Sequence, residues 1–185
     1  RRHGMTYTAF IDIRKAYPTV HRPAMFSKLK QAGIGGHLFR AIEAMYHNVQ
    51  SCVQVGGATS APYTIETGVR EGSVLSPVLY TIFINDLLTK LHATGEGVCI
   101  AGDADCRIAV MGYADDLVLV ARTAEGLQRM LDIVAEYAHK NEFQISQSKS
   151  KVVVFGDNHT RNSDAAAVWS VQGLYNDDDK IVPDH

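Results

Sequence analysis

Residues 78–91, VLYTIFINDLLTKL, constrain the fold more than any other stretch of the chain. Ser76-Pro77 ahead of them supplies an N-cap and a first-position proline, so the run reads as a helix. It is apolar nearly all round until Asn85, and a helix without a polar face has to be buried under a sheet. The strands for that sheet are legible as short apolar runs. Residues 7–13 (YTAFIDI) are aromatic and β-branched and read as a buried strand ending at Asp12. Residues 108–111 and 117–121 are joined across Gly112-Tyr113-Ala114-Asp115-Asp116, a predicted β-hairpin with carboxylates at its tip. Residues 151–155 (KVVVF) form the last strand, and the triplet VCI at 98–100 a brief one.

Helices fill the gaps. One starts at Pro23 and stops at Gly33; a second places Leu38, Ile42, Met45 and Tyr46 on one face. Residues 52–55 and 63–65 flank Gly-Gly-Ala-Thr-Ser-Ala-Pro, the pattern of a hairpin with a longer loop. Thr123 caps a helix whose Leu127, Met130, Leu131, Val134 and Ala138 share a face. Beyond Gly156 the composition turns polar, and Asp177-Asp178-Asp179 reads as a solvated loop. Strands and helices alternate through hairpins rather than in βαβ order, so the expected class is α+β, an antiparallel sheet with helices packed on one face. A parallel Rossmann arrangement fits poorly.

At 185 residues, 46% apolar and 21% charged, the chain can bury one core, which excludes disorder and collagen-like repeats. Its longest stretches free of Asp, Glu, Lys and Arg are 44–65, broken by Asn, Gln, Gly and Pro, and 72–85, too short to span a bilayer. No transmembrane helix is expected, and the N-terminal RRHGM lacks a signal-peptide layout. The expectation is an intracellular protein, or a fragment of a longer one. Cys52, Cys99 and Cys106 form no C-x-x-C pair and read as buried or bystander thiols. Net charge is −2, yet residues 1–50 hold eight Lys/Arg against two acids, which permits contact with a phosphate-rich partner.

Asp12 and Asp115-Asp116 stand where apolar strands end, and folding does not need carboxylates there. If the two strands are neighbours, like charges converge and a divalent cation is the natural neutraliser, magnesium first. Successive residues of an extended chain point to opposite sides, so one of Asp115 and Asp116 should be the main ligand and the other peripheral.

Taken together, AFIDIRKAY (9–17) followed by TVHR, GVREGSVLSPVLYTIFINDL (68–87), MGYADDLVLVA (111–121) and FQISQSKSKVVVF (143–155) resemble the palm of a reverse transcriptase, most similar to those of non-LTR retrotransposons. The motifs occur in family order across about 150 residues. The resemblance implies RNA-directed DNA polymerisation on a right-hand polymerase scaffold with a ferredoxin-like palm. Asp12 and Asp115 would bridge two Mg²⁺ ions, which Mn²⁺ could replace, with Asp116 as third carboxylate and the Ile13 carbonyl assisting one metal. Tyr17 matches the steric gate that favours dNTPs over rNTPs. Arg14, Lys15 and Ala16 lie beside the metal strand, where the cations could meet the triphosphate. Arg70, Glu71 and Gly72 occupy the Arg-Gln-Gly position of the nucleotide pocket, the glycine allowing close backbone approach. Lys149 matches the lysine that can protonate departing pyrophosphate. RNA template, DNA primer and dNTPs are the implied partners, and no membrane.

Three departures stand out. Glu71 replaces the usual Gln, adding negative charge and removing an amide donor; Pro18 replaces the Asp after the gate; Ser146 replaces an Asn. Residues 1–156 match the fingers/palm core, and 157–185 read as a polar connection towards a primer grip and thumb that the chain does not contain, Trp169 to Gly173 leading that way. A fragment so bounded is expected to be weak or inactive alone. Two rival functions remain: a catalytically inactive nucleic-acid-binding remnant, and an RNA-directed RNA polymerase.

Overall fold

A computed structural model describes residues 4–100 and 106–156, and the backbone of 169–170 and 180–181. The chain divides into two compact units. The first comprises residues 1–16 and 84–185; the second, residues 17–83, is an uninterrupted segment inserted between the two pieces of the first.

The first unit is built on β1 (Thr6–Arg14). This strand lies centrally in an antiparallel sheet, with β9 (Asp116–Ala121) on one side and β10 (Gln144–Ile145) and β11 (Lys151–Phe155) on the other. β8 (Val110–Tyr113) extends the sheet beyond β9. Ala9, Ile11 and Ile13 of β1 and Leu117, Leu119 and Ala121 of β9 are buried in alternation, the two-residue period of a half-buried sheet. α4 (Ala124–Lys140) packs on β1, β9 and β10. Its buried stripe of Leu127, Met130, Leu131, Val134 and Ala138 is the one the periodicity predicts, and Thr123 Oγ1 accepts the Gly126 N–H at 3.0 Å as its cap. Tyr137 on α4 donates its hydroxyl to Asp86 Oδ1 at 2.5 Å, and Arg129 pairs with Glu96. β6 (Val98–Cys99) pairs with β7 (Arg107–Ile108), and β12 (Trp169–Ser170) with β13 (Lys180–Ile181). Asp177-Asp178-Asp179 lies outside the described residues. Among the described residues every strand pair is antiparallel, which does not fit a parallel fold.

In the second unit α1 (Arg22–Gln31) and α2 (Gly36–Met45) follow the predicted helices, with Pro at the start of α1 and Gly33 at φ +85° after its end. The face assigned to α2 is corrected: Phe39 and Ile42 are buried with Tyr46, whereas Leu38 is 61% exposed and Met45 is also exposed. The cause is aromatic. Phe26 of α1 meets Phe39 and Tyr46 edge-on at 5.9 and 6.3 Å between ring centres, which turns α2 by about one residue from the Leu38 face. The expected long-loop hairpin is two short ladders, β2 (Gln50–Ser51) with β5 (Tyr63–Thr64), and β3 (Gln54–Val55) with β4 (Ala58–Thr59). Gly56 and Gly57, both at positive φ, make the tight turn between β3 and β4, so the loop is shorter than the seven residues read from sequence.

α3 (Ser76–Ala93) contains the apolar run, and the boundary between the units falls within it. It is less uniform than the sequence suggests: Leu79, Tyr80, Phe83, Ile84, Leu87 and Leu91 are buried, whereas Val78, Asn85 and Asp86 are exposed. Ser76 is the first helical residue rather than the cap, and its hydroxyl donates to the Arg70 carbonyl at 2.5 Å. Cys52 and Cys106 are exposed, so of the two readings of the thiols the buried one fails for both. Among the described residues, no helix is long and apolar enough to cross a membrane.

Candidate active site

β1 does not stop at Asp12 but continues to Arg14, which places Asp12 inside the sheet with neighbours on both sides. On one side Asp12 is the ladder partner of Asp116, so those two side chains project from the same face of the sheet. Asp115 is not in the ladder. With Ala114 it forms a two-residue hairpin loop between Tyr113 and Asp116, and Ala114 sits at φ +52°. A non-glycine residue at positive φ is a strained one, held only where its surroundings over-determine it. One such restraint is direct: the Ile13 N–H donates to the Asp115 carbonyl at 3.0 Å, fastening the hairpin tip to β1.

On the other side the pairing of β1 is interrupted. Ile13 is opposite Ile145 of β10 and Phe10 is opposite Lys151 of β11. Ile11 and Asp12 therefore face a five-residue excursion, 146–150. The excursion, the end of β1 and Asp115 enclose a cavity of about 640 Å³ lined by Asp12, Ile13, Arg14, Lys15, Asp115 and residues 144–149. Lys149 Nζ stands 3.5 Å from Asp12 Oδ1, its own side chain 71% exposed and that of Asp12 only 18%. A smaller cavity of about 280 Å³ is bordered by Asp12, Asp116 and Lys149, so Asp12 and Lys149 belong to both. Arg14 Nη1 donates to Gln144 Oε1 at 3.4 Å, and Lys15, at φ +51°, turns the chain out of the strand. Ala16 is buried.

The carboxylates, Ile13, Arg14, Lys15 and Lys149 are thus brought together in the first unit. Ala16 is the last residue of the first unit before the insertion, and Tyr17, Arg70, Glu71 and Gly72 belong to the second. Tyr17 is half-buried, its ring centre 5.3 Å from that of Tyr80, and its carbonyl accepts the Val69 N–H at 2.9 Å. Arg70 Nη2 donates to the Met45 carbonyl at 3.2 Å, and Glu71 and Gly72 are exposed. Gly72 is at φ +77° with no atom within 4 Å of where a Cβ would stand, so among the described residues its backbone angle, not crowding, calls for glycine. Crowding decides at Gly68, where a Cβ would lie 2.6 Å from the Pro18 carbonyl oxygen. Pro18 is accordingly a docking point for this segment, and its carbonyl also accepts the Thr67 hydroxyl at 3.2 Å.

The cavity also contains groups that the sequence reading passed over. Gln144, Gln147 and Ser148 line it, and Ser150 lies behind it. The available signal was the polar QSKS between the apolar Ile145 and Val152, too many residues for an uninterrupted strand. The donors offered by Asp12, Asp115 and Asp116 are all hard oxygens, the set Mg²⁺ prefers, and Mg²⁺ needs only one or two carboxylates when substrate phosphates complete its shell. Among the described residues, no three His, Cys, Asp or Glu side chains close around one point. The Lys149 ammonium beside Asp12 shows that this carboxylate accepts a cationic partner.

Solved structures share this fold. Apo telomerase from Candida Tropicalis, truncated from its C-terminal domain, superposes with a TM-score of 0.63 over 86% of this chain and 32% of that one, at 13% sequence identity. Telomerase from Candida albicans in complex with a TWJ fragment of telomeric RNA gives 0.58 over 84% and 27%, at 12% identity. The likeness in fold places the chain in the polymerase fold class. The chain belongs to the reverse transcriptase (RNA-dependent DNA polymerase) family, whose model matches residues 1–174. It is 35% identical over 121 residues to the retrovirus-related Pol polyprotein from the type-1 retrotransposable element R2 of Popillia japonica, covering 65% of this chain and 20% of that protein. It is 30% identical over 154 residues to the RNA-directed DNA polymerase from mobile element jockey of Drosophila funebris, covering 80% and 16%. With the Transposon TX1 149 kDa protein of Xenopus laevis the identity is 28%, over 84% and 12%. The chain therefore spans between about an eighth and a fifth of these curated relatives.

Proposed function

We propose that this chain is the catalytic core of an RNA-directed DNA polymerase of the non-LTR retrotransposon type, adding dNTPs to a DNA primer 3′-hydroxyl on an RNA template. The observation that carries the reading is the convergence of Asp12 and Asp115 on one cavity, with Asp116 opposite Asp12 in the ladder, in a chain of this family. Residues 1–156 are then fingers/palm core on a ferredoxin-like palm, and 157–185 lead towards a primer grip and thumb. Asp12, Asp115 and Asp116, with the Ile13 carbonyl, would hold two Mg²⁺ ions, Mn²⁺ being an alternative. When bound, the ions supply acidification of the primer hydroxyl and neutralisation of the triphosphate and leaving pyrophosphate.

The chain's own residues do the positioning. Arg14 and Lys15, at the cavity rim, meet the triphosphate charge, and Lys149 holds a proton on Nζ for the departing pyrophosphate. Tyr17 restricts the space for a ribose 2′-hydroxyl; Ala16, Arg70, Glu71 and Gly72 complete the nucleotide pocket. Rate enhancement in such a site comes mainly from alignment and charge neutralisation. The test is Mg²⁺-dependent primer extension on an RNA template by a full-length protein carrying this sequence, beside its Asp115→Asn variant. Extension by the parent is expected, with none by the variant while its fold persists, because the substitution removes like-charge repulsion. A folded, RNA-binding parent that does not extend would indicate the inactive remnant, with Glu71→Gln as the first reversion. Preference for rNTPs with Tyr17 intact would indicate an RNA-directed RNA polymerase.

A further inference from the structure

The interruption of the β1 pairing leaves Asp12, paired with Asp116 on one side, without a ladder partner on the β10–β11 side, and a side chain takes over there. The Asp12 N–H donates to Ser150 Oγ at 3.2 Å. The same hydroxyl donates onward to the Ser146 carbonyl at 2.7 Å, and the Ser150 N–H reaches that carbonyl too, at 2.9 Å. The ring closes through the Ser146 N–H, which donates to the Asp12 carbonyl at 2.8 Å. Both backbone polar groups of Asp12 are thus tied to the two ends of the excursion that carries Lys149. Ser150 is 2% exposed, so water does not substitute for it, and loss of the hydroxyl would leave the Asp12 N–H without this partner, while the Ser146 carbonyl keeps the Ser150 N–H. Five residues against two is a large bulge, a device that re-aims a side chain beside a functional site.

Resting on the function proposed above, we infer that Ser150 is a positioning residue: its hydroxyl stands in for the missing ladder contact at Asp12 and sets the height of the excursion, and so the place of Lys149 against Asp12. Ser150 touches no reacting atom in this scheme; it acts through Lys149.

Two measurements on the full-length protein test this. In Ser150→Ala, hydrogen exchange of the Asp12 amide should quicken by about tenfold, and Ser150→Thr, which keeps the hydroxyl, should restore it; an unchanged Asp12 amide overturns the inference. In primer extension Ser150→Ala should lower kcat by about ten- to a hundredfold with KM for dNTPs within about twofold, again with recovery in Ser150→Thr. The kcat loss should shrink in a Lys149→Ala background, and full additivity with Lys149→Ala overturns the inference. Should Ser150→Ala not fold, Ser150→Cys keeps the volume while weakening the bond and must show the same exchange effect. A parent that extends no primer refutes the proposed polymerase, whereas the Asp12 amide still decides for or against Ser150.

Discussion

Ala114 is the clearest case of a residue whose conformation its own chemistry disfavours. At φ +52° its Cβ crowds the backbone, at a cost of about 1–2 kcal/mol. Ala114→Gly relieves that strain while adding unfolded-state entropy, and the net expectation is a gain of about 0.5–1 kcal/mol in a urea unfolding curve. The strain is kept because the loop has two residues and Asp115 must reach the Ile13 amide. Gln147 behaves similarly. Its Nε2 is buried without a hydrogen-bond partner among the described residues, so Gln147→Leu should raise stability by about 1 kcal/mol, read as a higher Tm. The three aspartates were legible in sequence because carboxylates at the ends of apolar strands have no packing role. Which of them shares a ladder position with Asp12 was not legible, because the hairpin loop could have been centred one residue earlier or later, and a slip of one exchanges the faces. Ser150 and Gln147 were hidden for a related reason: nothing local to QSKS says that it lies opposite Asp12.

Among the elements, the hairpin spanning β2 to β5 is anchored by a residue of α1. Arg22, 7% exposed at the first position of that helix, donates Nε to the Gly68 carbonyl at 2.9 Å and Nη1 to the Ile65 carbonyl at 2.6 Å, with its guanidinium 5.2 Å from the centre of the Tyr46 ring. Burial lowers its pKa, with Tyr46 raising it and Arg70 lowering it further. Nη1 also reaches the Tyr46 carbonyl at 3.5 Å, so Arg22→Ala leaves three carbonyls without this donor and should cost about 2–3 kcal/mol, measured by denaturant unfolding, while Arg22→Lys recovers only part. Helix existence was legible wherever periodicity ran long, as in α4 with its five-residue stripe. It was less so in the ten-residue α2, where Leu38 and Phe39 are both apolar and only the neighbouring Phe26 decides which turns inward. The α3 run was read correctly as a helix, but a sequence cannot say that Val78 faces water.

At the scale of the molecule, the carboxylates and the proposed gate belong to different units: Asp12, Asp115 and Asp116 to the first, Tyr17 to the second. Under the proposed function this separates rate from selectivity. Tyr17→Ala should raise the use of rNTPs relative to dNTPs in primer extension by about tenfold or more while the fold of the first unit persists, since loss of one steric contact shifts discrimination by a few kcal/mol at most. The division into two units was not legible, because the insertion has no linker composition at either boundary and one boundary falls inside α3. It has a temporal side. β1 leaves the ribosome well before its partners, since β9 begins about 100 residues later and β11 later still, a delay of roughly 5–20 s at about 5–20 residues per second. During that interval residues 17–83 are complete and contiguous, whereas YTAFI has neither of its ladder partners β9 and β11. The central strand of the sheet therefore completes its pairing only after residues 116–155 have been made.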